Sequence, residues 1–353
     1  MVKILITGNM GYVGPNVVAQ MRSSYPESLI VGYDLGLFAS CLTNTAIFPE
    51  CRADLQYFAD VRTLPIKLLE GVDAVIHLAA ISNDPMGNKF EEITLDVNHR
   101  ASVEIARKAK QSGVKSFVFA SSCSVYGFAE EGARTEQSEV NPLTAYARSK
   151  VFTERDLREL ADADFKVTCL RFATACGMSD RLRLDLVLND FVAGAISSGK
   201  ITILSDGTPW RPLINVQDMA RAIDWAVSRT SFSGGDYLVV NAGSGSWNYQ
   251  VKDLAAAVAQ VIQGVSVSIN QDAQPDMRSY KVSFDLFESL ASNHQPEYDL
   301  YTTISGLKDG LISMGFLDQN FRNSKYIRLK VLENLINAGT VTEQLGWKFK
   351  HKK

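Results

Sequence analysis

The amino-acid sequence predicts an α/β protein built on a doubly wound parallel sheet, with a smaller α/β lobe interleaved in its C-terminal half. Three observations predict it. Short, continuous apolar runs ("VKILIT", "LIVGYD", "LQYFAD", "AVIHLAA", "KSFVFASS" and "KVTCLRF") recur through the first half of the chain. Runs without polar alternation suit strands covered on both faces, as in a parallel sheet with crossover helices above and below it. Between the runs lie amphipathic stretches with helical spacing, at 13–24, 91–113 and 144–163. The first run also leads directly into a glycine-rich turn, the join at which doubly wound sheets hold phosphates.

That turn, "ITGNMGYVG", places Gly8, Gly11 and Gly14 between the first strand and the first helix, in the Rossmann manner. The missing side chains permit a tight turn and the close approach of a dinucleotide pyrophosphate, to which the helix N-terminus presents N–H groups and partial positive charge. Met10, Tyr12 and Val13 complete the turn as candidate cofactor contacts, and Pro15 suits a first helical turn, where its missing N–H is not needed.

The second run ends at Asp34, twenty residues after Gly14. A carboxylate there accepts hydrogen bonds from the adenosine ribose and repels a 2′-phosphate, which favours NAD over NADP; the alternative is a simple turn cap. The third run closes on Asp60 and Val61 in "ADVR", where the acid either meets the adenine amino group or stays a surface loop charge. The fifth is followed at once by Ser121, Ser122 and Ser124 in "ASSCSVYG", at the edge where such sheets bind ligands. In "TAYARSK", Tyr146 and Lys150 are four residues apart, so they stack on one helix face and reach the same ligand. A phenol alone is a poor base at neutral pH, but a nearby ammonium favours the phenolate and brings it toward a working range.

After "CLRFATACG" the rhythm breaks into a polar loop, a helical stretch "DLVLNDFVAGAISSG", a short strand "KITIL" and a turn, before "DYLVVNAG" returns to the sheet pattern. The expected division is residues 1–173 as an NAD-binding domain, with 211–243 returning to it, and 174–353 mainly as a substrate lobe. With 36 basic against 39 acidic side chains and no like-charge run beyond "KFKHKK", there is no electrostatic footprint for nucleic acid or an anionic membrane. Five cysteines (Cys41, Cys51, Cys123, Cys169, Cys176) share no CxxC spacing and the four histidines lie far apart, so neither a disulfide framework nor a metal site is expected. "VKILIT" is too short for a signal sequence core, and no stretch approaches about 18 apolar residues, so a reduced, cytoplasmic setting is expected.

The ordered motifs "TGNMGYVG", "DVR", "HLAA", "VNHRAS", "SSCSVYG", "YARSK" and "RPLINVQDMARA" together make the chain resemble the extended short-chain dehydrogenase/reductase superfamily, in its nucleotide-sugar epimerase/dehydratase branch. The resemblance runs over nearly the whole chain. It implies that Tyr146 is the acid/base, that Lys150 holds the nicotinamide ribose and tunes Tyr146, and that Ser122 hydrogen-bonds the reacting oxygen. It also implies backbone contacts to NAD from Leu78, Ala79 and Ala80, and a cofactor-side role for Asn98, otherwise a polar residue inside a helix. His77, between apolar neighbours, reads as a satisfied structural histidine. In the smaller lobe the resemblance implies a clamp on the substrate diphosphate from Asn189, Arg211 and Arg278, since guanidinium forks suit phosphate oxygens. Arg181 and Arg183 in "SDRLRLD" are further candidates.

Sugar dehydratases of this superfamily carry an Asp-Glu pair straight after the catalytic Ser or Thr, to expel a hydroxyl and remove a carbon-bound proton. Cys123 and Ser124 stand there, as substrate-side positions, so 4,6-dehydration is not expected. Two hydride chemistries remain: an NAD-retaining 4-epimerase, which Asp34 favours, and an NAD(P)H-dependent 4-ketoreductase of a 4-keto-6-deoxy sugar. Cys123 is either an extra acid/base or, preferably, a small buried thiol. A catalytically silent NAD-binding regulator is disfavoured because Ser122, Tyr146 and Lys150 are all present. The resemblance further implies a homodimer through the helices at 91–113 and 144–163.

Overall fold

The computed structural model describes residues 1–43, 46–129, 132–270, 272–273 and 279–348. The main sheet has seven strands: β1 (Lys3–Thr7), β2 (Leu29–Asp34), β3 (Leu55–Phe58), β4 (Ala74–His77), β5 (Ser116–Ser122), β6 (Lys166–Phe172) and β7 (Tyr237–Ala242). They lie in the order β7-β6-β5-β4-β1-β2-β3, every neighbouring pair parallel. The direction of winding reverses between β1 and β4, which leaves a crevice outside their carboxyl ends, the ligand position of such sheets.

The first seven helices are α1 (Gly14–Ser24), α2 (Asp84–Lys89), α3 (Glu91–Leu95), α4 (Ser102–Gln111), α5 (Ala145–Arg158), α6 (Val187–Ser198) and α7 (Val216–Ser228). Side chains alternate across a strand, and β1 shows the consequence. Ile4 and Ile6 pack with Val17, Val18 and Met21 of α1 and Ile223 of α7, whereas Leu5 packs on the other face with Ile105 and Ala109 of α4 and Leu157 of α5. Both faces are covered, which is why this strand reads as an uninterrupted apolar run.

Two helical expectations need correction. Residues 91–113 are helical without a break to Gln111, but not as one regular α-helix: a π segment, Asp96–Ala101, joins α3 to α4. The extra residue in that turn carries Asn98 inward, where it is completely buried. The stretch 144–163 is helical only to Arg158, because the chain must turn through the Asp162–Phe165 bridge to enter β6.

In the smaller lobe, Thr174–Cys176, Trp210–Asn215 and Asn248–Gln250 form a three-stranded sheet, and Lys200–Ile203 pairs with Ser266–Ile269. Its core joins Leu188 and Val192 of α6 to Leu254, Ile304 and Leu307. The chain rejoins the main sheet through α7 and β7; the strand Trp210–Asn215 stays with the lobe. A last helix, Arg328–Asn337, and the turn after it fold back onto Ile81, Met86 and Ile93. Among the described residues no helix is long and apolar enough to cross a membrane.

Candidate active site

A cavity of about 910 Å³ opens at the carboxyl edge of the main sheet, facing the smaller lobe. The glycine turn is part of its wall. Gly8 has φ +74°, and a Cβ on it would lie 2.5 Å from Ala79 N; one on Gly14 would lie 2.1 Å from Asn9 O. Neither position has room for a side chain, so the turn packs flush against the β4 loop and the first turn of α1. Gly8, Gly11, Tyr12, Val13 and Gly14 line the cavity, as do Leu78, Ala79 and Ala80.

Met10 does not: it is buried, and its N–H donates to Asp34 Oδ2 at 3.1 Å. Its expected cofactor contact is corrected to a backbone role, aiming the Asp34 carboxylate. Gly36 N–H holds the other oxygen at 2.7 Å, and burial raises the Asp34 pKa. Asp60 and Val61 line the same end. The Asp60 carboxylate is paired with Arg62 (Nη2 to Oδ2, 2.6 Å) rather than free. A close-approach glycine turn at a helix N-terminus, with a fixed carboxylate at the ribose end, fits a dinucleotide.

The opposite wall carries Ser122, Tyr146 and Lys150. Thr144 caps α5 by accepting the Ala147 N–H at 3.1 Å, and its own hydroxyl donates to Asp84 at 2.6 Å. Cap and helix together fix Tyr146 and Lys150 on one face. Lys150 is 2% exposed; its Nζ donates to Ala120 O at 2.7 Å and stands 5.5 Å from the centre of the Tyr146 ring. Burial depresses the ammonium to about 7, against the opposing pull of Glu154 one turn along the helix. Burial likewise lifts the Tyr146 phenol to about 12, and Ser122 opposes that rise. Ser122 Oγ is itself oriented by accepting the Ser124 N–H at 3.1 Å.

Sequence comparison decides the family. The model of the NAD dependent epimerase/dehydratase family matches residues 4–243. The chain belongs to that family. UDP-glucose 4-epimerase 2 of Arabidopsis thaliana is 30% identical over 186 residues, 49% of this chain and 52% of that protein, so the match spans about half of that relative. The UDP-glucose 4-epimerase of Pasteurella multocida is 27% identical over 297 residues, 73% of this chain and 82% of its own length. Among solved structures, MoeE5 in complex with UDP-glucuronic acid and NAD superposes with a TM-score of 0.74 at 25% identity, over 88% of this chain and 99% of that one.

As an epimerase/dehydratase-family member the protein is an NAD-dependent enzyme of the short-chain dehydrogenase type. Several polar residues expected on its ligands stand behind the cavity instead. Asn98 is corrected from a cofactor contact to a pin: its amide accepts from Ile81 N–H at 2.8 Å and donates to Ile81 O at 3.0 Å and Ser149 Oγ at 3.1 Å. It holds the loop after β4, whose residues line the cavity, to α5. Cys123 is corrected from a substrate position to a buried thiol that donates to Arg171 O at 3.1 Å, with its pKa pushed up by burial. Asn189 is corrected likewise. Its Oδ1 accepts from Gly177 N–H, and its Nδ2 donates to Tyr12 Oη and Arg183 O, so it clamps the glycine turn to the lobe.

Arg211, Ser124 and Arg183 do face the cavity. Arg183 is held by Asp185 (Nη2 to Oδ2, 2.8 Å) and donates to Ser82 Oγ at 3.0 Å. Arg181 is buried against Glu50 at 2.9 Å, away from the cavity lining. Arg278 lies outside the described residues. His77 bridges Thr7 Oγ1 (2.7 Å) and Ser102 Oγ (2.8 Å), and burial drives its pKa down to about 3, so it ties β1, β4 and α4 together in neutral form.

Two features escaped the sequence reading. Glu154 and Arg171, 6% and 8% exposed, form a buried ion pair at 2.7 Å behind Lys150, extended by Ser121, Tyr126 and Asn241. Cavity residues Arg322, Arg328 and Leu345 come from the far end of the chain. Nothing local in the sequence marks either feature.

Proposed function

We propose that this enzyme interconverts C4 epimers of a nucleotide-activated hexose through a 4-keto intermediate. The observation that carries the reading is the single proton-transfer device at one wall: Ser122, Tyr146 and Lys150 converge, while the next residue, Cys123, turns its thiol away into a backbone bond. One such device suits removal and return of hydrogen at one carbinol, not expulsion of a second hydroxyl. The UDP-glucose 4-epimerases among its relatives support the nucleotide sugar and the C4 position.

In this reading Ser122 and Tyr146 hold the C4 hydroxyl, and Tyr146 takes its proton as the carbon-bound hydride departs. Bound NAD supplies the hydride acceptor and then the donor. The ketone turns within the cavity, hydride returns to its other face, and Tyr146 gives the proton back. Lys150 supplies the positive charge that makes the phenolate accessible. Arg183 and Arg211 are the charges offered to the diphosphate. The enzyme is proposed to work in the cytoplasm as a homodimer through α4 and α5; a monomer in light scattering at micromolar concentration would remove the dimer.

The test is to incubate the purified protein, with no added cofactor, with UDP-glucose, UDP-galactose and other nucleotide hexoses, and to follow C4 configuration by NMR. Denatured protein is assayed in parallel for released NAD. Stoichiometric NAD with conversion to an epimeric mixture is expected. An empty protein that consumes NADH or NADPH with a 4-keto sugar would make it a ketoreductase instead.

A further inference from the structure

Residues 341–347 form a tight turn closed at its base by the Val341–Trp347 bridge, with Leu345 N–H and Gly346 N–H both directed to Thr342. This turn lies about a hundred residues beyond the end of the family match at 243, yet it is fastened to the adenosine end of the cofactor cavity. Trp347 Nε1 donates to Leu35 O at 2.7 Å, one residue past Asp34. Arg62, the partner of Asp60, donates to Gln344 O at 2.9 Å. The turn therefore bridges the loops after β2 and β3, which flank the expected adenosine position.

Between those two fastenings Leu345, 3% exposed, contributes to the cavity wall. It packs in one apolar cluster with Leu37, Phe38 and Ile81. Its backbone has φ +57°, a left-handed conformation that a leucine adopts only where its surroundings impose it. A strained leucine, tied on both sides and facing the cavity, is placed where it can touch a ligand.

We infer that the 341–347 turn is part of the NAD site: Leu345 packs against the adenosine half of the dinucleotide, and the turn must lift for the cofactor to leave. The inference rests on NAD occupying this cavity and not on the choice of epimerase over reductase. Two backbone-directed hydrogen bonds and a small apolar seam hold the turn, so it is a latch that opens slowly rather than a permanent wall.

The test follows release of radiolabelled NAD from the loaded full-length protein into excess unlabelled NAD. Leu345→Gly removes the contact and relieves the strain; Trp347→Phe keeps the ring and removes its N–H bond. Leu345→Gly should release NAD at least about tenfold faster and Trp347→Phe several-fold faster, the scale of one buried leucine or one hydrogen bond. Wild-type release from both variants would overturn the inference. Should either variant not fold, hydrogen exchange of wild-type amides 341–347 answers the same question: NAD must slow their exchange, and unchanged exchange overturns it. Neither measurement uses a sugar, so absence of epimerisation would refute the proposed reaction and leave this result readable.

Discussion

Replacing Lys150 with methionine sets the folding role and the chemical role of one side chain against each other. The ammonium is 2% exposed, makes one hydrogen bond, to Ala120 O at 2.7 Å, and has its pKa depressed by burial from 10.5 to about 7. Between those two pH values the unfolded chain holds a proton that the folded site does not, so stability rises with pH across the window. Below about pH 7 the folded site is protonated too, and the whole cost of burying the charge is present. At about 1.4 kcal/mol per pH unit, that cost is about 5 kcal/mol. Methionine has a similar volume and no charge, but loses the bond to Ala120, which costs about 1–3 kcal/mol. Lys150→Met should therefore stabilise the protein by about 2–4 kcal/mol at pH 6 and destabilise it by about 0–2 kcal/mol near pH 10. Guanidinium midpoints of the two cofactor-free proteins at pH 6, 8 and 10 measure the difference, in which other titrating groups cancel. A difference that stays flat across this range would refute the claim that burial holds Lys150 near neutrality. Turnover should fall in the same variant whatever its stability.

Tyr146→Phe should lower turnover by about 10²–10⁴-fold while the NAD dissociation constant, measured by calorimetry, stays within about threefold; unchanged turnover removes the acid/base assignment. Arg171→Met leaves Glu154 buried without its partner and should cost about 3–5 kcal/mol in denaturant unfolding, whereas Arg171→Met with Glu154→Leu should recover much of that loss. A double variant less stable than the single one would mean that the pair is held by more than its own charges.

The main sheet was legible because its strands are covered on both faces, so Ile4, Leu5 and Ile6 all had to be apolar. Tyr146 and Lys150 were legible because helical spacing alone puts them on one face. What stayed hidden depends on the direction in which a polar side chain points. Asn98 looked like a ligand residue, and one extra residue in the π turn buries it against the backbone of Ile81. Asn189 is completely buried on α6, where its amide is taken up by Gly177 N–H, Tyr12 Oη and Arg183 O. Cys123 opens the 3-10 turn after β5, and that turn directs its thiol to Arg171 O while Ser122 faces the cavity. Arg171 and Glu154 meet only because α5 packs over β6, and Leu345 reaches Leu37 and Phe38 from some three hundred residues away. No local pattern encodes such meetings.

The electrostatics of Tyr146 and Lys150 explain why the site would be quiet when empty. At pH 7 Tyr146, lifted to about 12, is neutral, and Lys150, depressed to about 7, is about half protonated. Moving a proton from the phenol to the amine across that gap costs about 7 kcal/mol at about 1.4 kcal/mol per pH unit. The resulting charges, with the amine 5.5 Å from the ring centre, attract one another by about 3 kcal/mol at an effective dielectric of about 20. About 4 kcal/mol remains, which the two residues cannot supply between them. It falls to the ligands to supply it, through the charge and hydrogen bonds that they bring to this wall. Burial thus opposes the phenolate in the empty site, and in the proposed reaction the bound ligands offset that cost, with a substrate hydroxyl in place to give up its proton.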